Sequence, residues 1–496
     1  MKEWIIPFAL TVSYLVVSVI VGVRAKGKLD MDKVANWGVG GFSLNGIVTF
    51  FLIGAGALSA YTFMGAPSWV ITRGVPVMYV IYYLVNHTYN YFFLGGRAWK
   101  LTQRHGYLSQ AEAIGARYNS KFVRMFLSLV TSVALIQTAM LQIVGCGYVL
   151  NVMSGGLVPD WLGKCLVTLA IFIYLYTSGL RAIGWTNVFQ GIMMFCLAWL
   201  VGLFVNHYFY DTLSFAPVIQ EIAATHPENL SLPGALGDWG PMFWTTSILV
   251  SLFSFWPTMW TMCTGAKNYD SMRNSVRWIP LYYVTMIPML IVGFICLLHL
   301  PNAADLGDKA ALVISLEILP PVLAGLLGAG VLAASQSSAE PMIHGTTFTW
   351  THDIIGPLFN LSEEKEGKLQ RKMLIIVMFF VILPLAVLNP ATLVQILLIG
   401  YGFTGQVFPV ILGLFFWPRS TKAGAIAGLV TGTIVLNLCS FVWVHPLGIH
   451  GGIWGLAVNL IVHIVVSLLT KPENKETLSK FFDEHTMTRL YVKKEV

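Results

Sequence analysis

Charge is scarce in this sequence. Asp, Glu, Lys and Arg make up only 11% of its 496 residues, where soluble chains carry about 25%. That shortage excludes an ordinary water-soluble globular protein. Strand-length alternation of polar and apolar residues is also missing, which excludes an outer-membrane barrel. The six cysteines (Cys146, Cys165, Cys196, Cys263, Cys296 and Cys439) are dispersed, with no CxxC or Cys/His cluster, so neither a disulfide framework nor a zinc site is expected. No HExxH, GxSxG or paired carboxylates occur, and an enzyme is not expected. The first apolar block, Trp4 to Val23, has no cleavage-site pattern and is read as a retained helix.

What is abundant is apolar sequence, 56% of the chain, in blocks of 18 to 25 residues. Each is long enough to cross a hydrocarbon layer of roughly 30 Å as a helix. Thirteen spans are predicted, near 4–23, 45–70, 75–96, 122–153, 161–177, 184–207, 241–264, 278–299, 321–350, 373–389, 393–417, 423–444 and 450–470. With the N-terminus outside and the C-terminus cytoplasmic, the inside loops hold 26 of the 30 Lys and Arg, and only Lys2, Arg73, Lys164 and Lys309 fall outside. This asymmetry is the positive-inside rule, and it accounts for the net charge of +7 without a nucleic-acid partner. The fold class is an all-α polytopic protein of the inner membrane, surrounded by lipid, with a monomer as its working unit.

Spans two to six and seven to eleven form two groups of five. Five is odd, so the second group runs opposite to the first, as in an inverted repeat with a solute site between the halves. The expected divisions are 1–44, an extra helix and loop; 45–207, the first repeat; 208–240, an external loop; 241–417, the second repeat; 418–470, two further helices; and 471–496, a cytoplasmic tail.

Two segments concentrate the chemistry. In the second span, Gly54 and Gly56 precede Ser59 and Thr62. The glycines mark either an unwinding point, whose free carbonyls a cation or solute satisfies, or simply close helix packing. In the ninth span Glu340 is the one acid placed well inside a membrane segment, at a cost of roughly 2.5–3.5 kcal/mol on insertion scales. Pro341 follows it and deprives the Ser337 carbonyl of its helical partner. With the hydroxyls of Ser337 and Ser338, this makes a cluster of neutral oxygens suited to a hard cation. His344 lies four residues beyond Glu340, on the same helix face, and the pair reads either as a proton relay or as a structural hydrogen bond. For Glu340 itself two roles are open: a fixed negative charge beside the cation, or a carboxyl that gains and loses a proton in each cycle. His87, Asn90, Gln137, Gln142 and Gln406 are polar residues of cavity or interhelical type, and Pro257 breaks the seventh span where Trp256 and its aromatic neighbours wall a solute cavity.

These stretches, ALSAYTFMGAP at 57–67, YTSGLRAIGWTNVFQG at 176–191, GLLGAGVLAASQSS at 325–338 and GLFFWPRSTKAGAIAG at 413–428, resemble the sodium:solute symporter family in both wording and order. The resemblance implies a leucine-transporter-type five-plus-five repeat, alternating access and sodium as the coupling ion, without an organic cofactor. It implies a sodium site made by the carbonyls of Ala55, Leu58 and Ala334 and the hydroxyls of Ser337 and Ser338. It places Ser59 and Thr62 at positions that touch solute, with Gln137 and Trp256 as further candidates. The chain departs from the pattern at Asn187, where the family frequently has aspartate, and at Glu340 and Pro341, where members with a second sodium carry hydroxyls. A second sodium site of that kind is therefore not expected, and Glu340 reads as a relocated carboxylate. GLLGAGVLAA and the closing WGLAVNLIVHIVVSLLTKP are most similar to the monocarboxylate and pantothenate branch, implying a small carboxylate solute. Proton coupling, an amino-acid solute, or a membrane sensor module of the same architecture are the alternatives; the tail after the last span is too short for an attached kinase.

Overall fold

The computed structural model describes residues 4–388 and 393–483. Residues 484–496 of the expected tail, the outside Lys2 and the junction 389–392 of the second repeat lie outside the described residues. Within them no strand forms; one isolated bridge joins Leu44 and Ala266. A backbone in lipid must satisfy its polar groups internally, and apolar runs of this length do so as helices.

In chain order the helices are α1 (Ile5–Arg24), α2 (Gly46–Ala57), α3 (Tyr61–Arg73), α4 (75–105), α5 (Gln110–Arg117), α6 (Lys121–Met153) and α7 (Asp160–Tyr210). They continue with α8 (241–253), α9 (Pro257–Thr264), α10 (Tyr269–His299), α11 (Pro321–Phe359), α12 (Glu363–Leu388), α13 (Leu397–Phe415), α14 (Lys422–Val442) and α15 (Gly451–Leu469). Among the described residues nine of these are long and apolar enough to cross a membrane unaided, and α2 with α3, bent by 44°, makes a further broken span. The run α7 holds the expected fifth and sixth spans, two helices that meet at a break at Gly179. Its φ of 52° and ψ of −140° suit glycine alone, and a Cβ there would lie 2.5 Å from the Trp37 carbonyl oxygen. The glycine of the SGL stretch is thus the part of that motif the bend requires. The expected seventh span is interrupted, as Pro257 suggested, and its halves α8 and α9 are short.

The centre of the bundle is α11, buried from Gly325 to Phe348 apart from its Leu326 face and packed on α1, α2, α6 and α7. Between helices in lipid, attraction comes from close contact and not from water exclusion. Side chains on Gly325, Gly328 and Gly330 would come within 2.9 Å of α1, α6 or α7 atoms, so GLLGAG is what lets α11 sit there. At one end of the helices, Arg73 pairs with Asp238, and Lys309 with Asp160. At another cluster, the α5 residue Glu112 meets His352, which also contacts Glu366, while Arg124 meets Asp353. Burial alone would push the Glu112 carboxyl up, but His352 and Arg124 outweigh it and hold it down at about 2.

Candidate functional site: two helix breaks beside a buried cavity

The first break lies between α2 and α3, three residues wide. Gly54 and Gly56 are not the unwinding point; both are helical, and the chain leaves the helix at Leu58 (φ −91°, ψ 127°). A Cβ at Gly56 would lie 3.5 Å from the Ser337 carbonyl oxygen, an ordinary contact, so the approach of the two helices does not require the glycine. The break is held by side chains. The Ser59 amide donates to Thr62 Oγ1 at 3.3 Å, the Ala60 amide to Gln142 Oε1 at 2.9 Å, and the Tyr61 amide to Ser59 Oγ at 3.2 Å. In an unbroken helix the first two amides would serve the carbonyls of Ala55 and Gly56. The Thr62 amide likewise turns to the Ser59 carbonyl, at 2.9 Å, and not to that of Leu58. The Gly56 and Leu58 carbonyl oxygens are therefore released on one side of the break, while the Ala55 carbonyl accepts from the Leu58 amide at 3.2 Å.

Those oxygens face the middle of α11. Ser337 Oγ lies 3.0 Å from the Ala55 carbonyl, 3.5 Å from that of Leu58 and 3.0 Å from that of Ala334. Ser338 Oγ lies 2.9 Å from the Gly56 carbonyl and 3.0 Å from that of Leu58. All five oxygens named from the sequence are brought together, and every residue supplying them is buried. The Gly56 carbonyl joins them and was missed; only the identity of the amides diverted by Thr62 and Gln142 reveals it. Neutral oxygens at this density suit a hard monovalent ion, which needs no fixed charge if enough dipoles converge.

The second break separates α8 from α9 at Ser254–Trp256, and Pro257 begins the new helix. The Ser254 carbonyl accepts from Asn86 Nδ2 at 3.1 Å and Asn90 Nδ2 at 2.9 Å, while its hydroxyl lies 2.8 Å from Thr404 Oγ1. Asn90 is thus a brace of the break. Between the two breaks is a cavity of about 70 Å³, walled by Ser59, Thr62, Trp256, Gln142, Thr138 and Tyr283 among others, and touching Ser338. Ser59, Thr62 and Trp256 stand where the sequence expected them. Gln137 does not line the cavity; Thr138 and Gln142 do. His87 also lines it, and its ring lies 2.8 Å from the Tyr283 hydroxyl. Gln406 is elsewhere, bound by Asn459 of α15.

Glu340 and His344 share a helix face but form no relay. Glu340 accepts from Tyr174 Oη at 2.5 Å, Thr186 Oγ1 at 2.7 Å and Gln190 Nε2 at 3.1 Å, all on α7. His344 Nε2 lies 3.0 Å from the Trp37 carbonyl, and the two rings stack at 4.4 Å. The side chains diverge because two different segments, α7 and the loop helix carrying Trp37, offer them partners. Glu340 carries no bond to the five-oxygen cluster. It does enter α7 at Thr186 and Gln190, on either side of Asn187, whose own Oδ1 has no partner. Tyr14 of α1 completes the network, donating to Gln336 Oε1 at 2.6 Å and accepting from Gln190 at 2.9 Å.

The family profile of the sodium:solute symporters matches residues 37–432. The chain is 27% identical over 473 residues to the uncharacterized symporter YhjB of Bacillus subtilis (strain 168), covering 92% of this chain and 96% of that one. It is 24% identical over 493 residues to a sodium/proline symporter of Staphylococcus aureus, covering 92% and 91%. In three dimensions it is similar to a Na+-coupled sialic acid symporter solved in a substrate-bound, outward-open state, with a TM-score of 0.76, 18% identity, and 95% and 99% of the two chains covered. That likeness establishes the leucine-transporter-type fold. A profile match over most of the chain, with relatives that are symporters along their full length, settles the class: the chain belongs to the sodium:solute symporter family, and is a multi-pass membrane transporter coupling a small solute to sodium, not an enzyme.

Proposed function

We propose that this chain imports a small monocarboxylate with sodium, by alternating access across the inner membrane, as a monomer with its N-terminus outside and its C-terminus in the cytoplasm. The observation that carries the reading is the convergence of the Ala55, Gly56 and Leu58 carbonyls on Ser337 and Ser338, at the edge of a cavity. Sodium is held by the oxygens of Ala55, Leu58, Ala334, Ser337 and Ser338. The solute lies on Ser59, Thr62 and Trp256. Because Ser338 belongs to both the cluster and the cavity wall, ion and solute stabilise the same arrangement of α2, α3 and α11, which is the requirement for coupling.

Size supports a small solute. One water takes roughly 10–15 Å³ on the measure used for cavities of this kind, so 70 Å³ accepts on the order of six non-hydrogen atoms. Among the described residues no Lys or Arg lines the cavity, and a carboxylate is held there by the hydroxyls of Ser59 and Thr62 at the start of α3, where the helix dipole is positive. Glu340 supplies a negative charge beside Asn187, the position where the family pattern frequently has aspartate. It acts on sodium through α7 and α11, without contact. The expected division into repeats at 45–207 and 241–417 puts one break in each half. The test is uptake into proteoliposomes of labelled acetate, lactate, pyruvate, pantothenate and proline, with sodium and proton gradients imposed separately. Proline uptake without carboxylate uptake would overturn the solute assignment. Uptake on a proton gradient alone would overturn sodium coupling.

A further inference from the structure

Beside the transport machinery, the bundle has a second built feature. Between α4 and the start of α10 is an open groove of about 370 Å³, lined by Phe92, Phe93, Arg97, Lys100, Tyr269 and Arg273. Its three cations have no carboxylate partner among the described residues. Each instead faces a ring: the Arg97 guanidinium is 4.7 Å from the Phe416 centroid, the Lys100 ammonium 4.9 Å from that of Tyr269, and the Arg273 guanidinium 5.7 Å from that of Phe92. Arg97 also donates to the Phe93 carbonyl at 3.2 Å. The acid on these segments, Asp270, does not line the groove. Three like charges held around one space repel each other, and a surface of this kind normally interleaves acids. Their convergence is relieved by an anion.

The walls say which kind. Phe93 is 53% exposed, and Trp278 and Leu281, five and eight residues further along α10 from Arg273, are 61% and 62% exposed. On the other side of α10 a second groove, of about 580 Å³, is lined by Ile47, Phe50, Phe51 and Trp278 and is almost wholly apolar. A soluble anion has no use for these surfaces, whereas a lipid carries its charge and its chains at this spacing. We propose that the groove is a binding site for an anionic phospholipid, with the phosphate among Arg97, Lys100 and Arg273 and an acyl chain along Trp278 toward the Ile47 groove. Guanidinium groups fit phosphate oxygens in pairs, and aromatic rings position the glycerol level of the membrane. The site joins the start of α10 to α4, whose Asn86 and Asn90 brace the second break.

The test is native mass spectrometry of the full-length chain in detergent, titrated with dioleoyl phosphatidylglycerol and, separately, dioleoyl phosphatidylcholine. Wild type is expected to retain phosphatidylglycerol and not phosphatidylcholine. The variant Arg97→Gln/Lys100→Gln/Arg273→Gln is expected to bind it roughly 100-fold more weakly, taking about fivefold per basic residue near a membrane surface. The matched variant Lys26→Gln/Lys28→Gln/Lys33→Gln removes the same charge elsewhere and is expected to bind as wild type. Equal binding by all three proteins, equal losses in both variants, or equal retention of phosphatidylcholine would overturn the proposal. Displacement of the lipid by millimolar glycerol phosphate would also overturn it, because the site would then hold a headgroup and not a lipid. A triple variant that melts at the wild-type temperature and still loses the lipid supports the site directly.

Discussion

Replacing Ser337 and Ser338 together by alanine perturbs the cation cluster with the least change of shape. Each hydroxyl has two states to consider. With sodium bound it is a ligand, and a contact between a dipole and a charged group is worth about 1.5–3 kcal/mol. Without sodium it donates to a backbone carbonyl, Ser337 to Ala55 at 3.0 Å and Ser338 to Gly56 at 2.9 Å, a neutral bond worth about 0.5–1.5 kcal/mol. The variant loses both, so only the difference, about 1–1.5 kcal/mol per serine, appears in sodium affinity. For the pair that is about 2–3 kcal/mol, or roughly 30- to 160-fold in the sodium concentration giving half-maximal uptake. The ion-free protein also loses stability, because the Gly56 and Leu58 carbonyls lose their hydroxyl donors while the Ala55 carbonyl keeps the Leu58 amide. The assay is solute uptake into proteoliposomes against external sodium, with melting temperature measured with and without sodium. Ser335→Ala is the control, since its hydroxyl bonds to the Val331 carbonyl of its own helix at 2.8 Å. A double variant that folds and keeps the wild-type sodium dependence would refute the cluster as the coupling site.

Other outcomes follow from the same geometry. Thr62→Val removes a cavity-lining hydroxyl that also caps α3 and is expected to raise KM, with about 1 kcal/mol lost in stability, read by uptake kinetics and melting; unchanged KM with collapsed sodium affinity would reverse the roles. Gln142→Leu leaves the Ala60 amide without an acceptor, costing about 1–3 kcal/mol, and is expected to weaken sodium and solute together in the same assays. Glu340→Gln keeps an acceptor for Tyr174 and removes the charge, so sodium affinity is expected to fall while melting changes little; a wild-type sodium titration would leave Glu340 a purely structural group. Glu112, held at about 2 against an ordinary value near 4.5, is deprotonated more readily folded than unfolded, so its stabilisation is full above about pH 5 and is lost as pH falls toward 2. The melting difference between wild type and Glu112→Gln is expected to shrink as pH falls from about 5 toward 2.

Much of the cation cluster was legible because α11 breaks the rules of a membrane helix in one short stretch. A proline and two adjacent serines inside an apolar span have no packing purpose, while the acid beside them bonds to Tyr174, Thr186 and Gln190 of α7. The position of the first break was not legible in the same way. Glycines report where a helix tolerates contact, and here Gly54 and Gly56 both stay helical, ahead of the break. Where the helix opens was decided by acceptors for its amides, and one of them, Gln142, lies 82 residues away on α6. The choice between Gln137 and Gln142 was also hidden. Five residues turn a helix through about 140°, so only one of the pair can face the cavity, and neither sequence position says which. Glu340 and His344 show the limit of face arguments: two side chains one turn apart separate when different neighbours supply their partners.

The most direct measurement is sodium binding itself, by 22Na+ retention on the purified wild-type chain and on Ser337→Ala/Ser338→Ala, with and without lactate. The account predicts saturable binding by wild type, tightened by the solute, and loss of both in the variant. Wild-type binding that survives intact in a folded variant would contradict it.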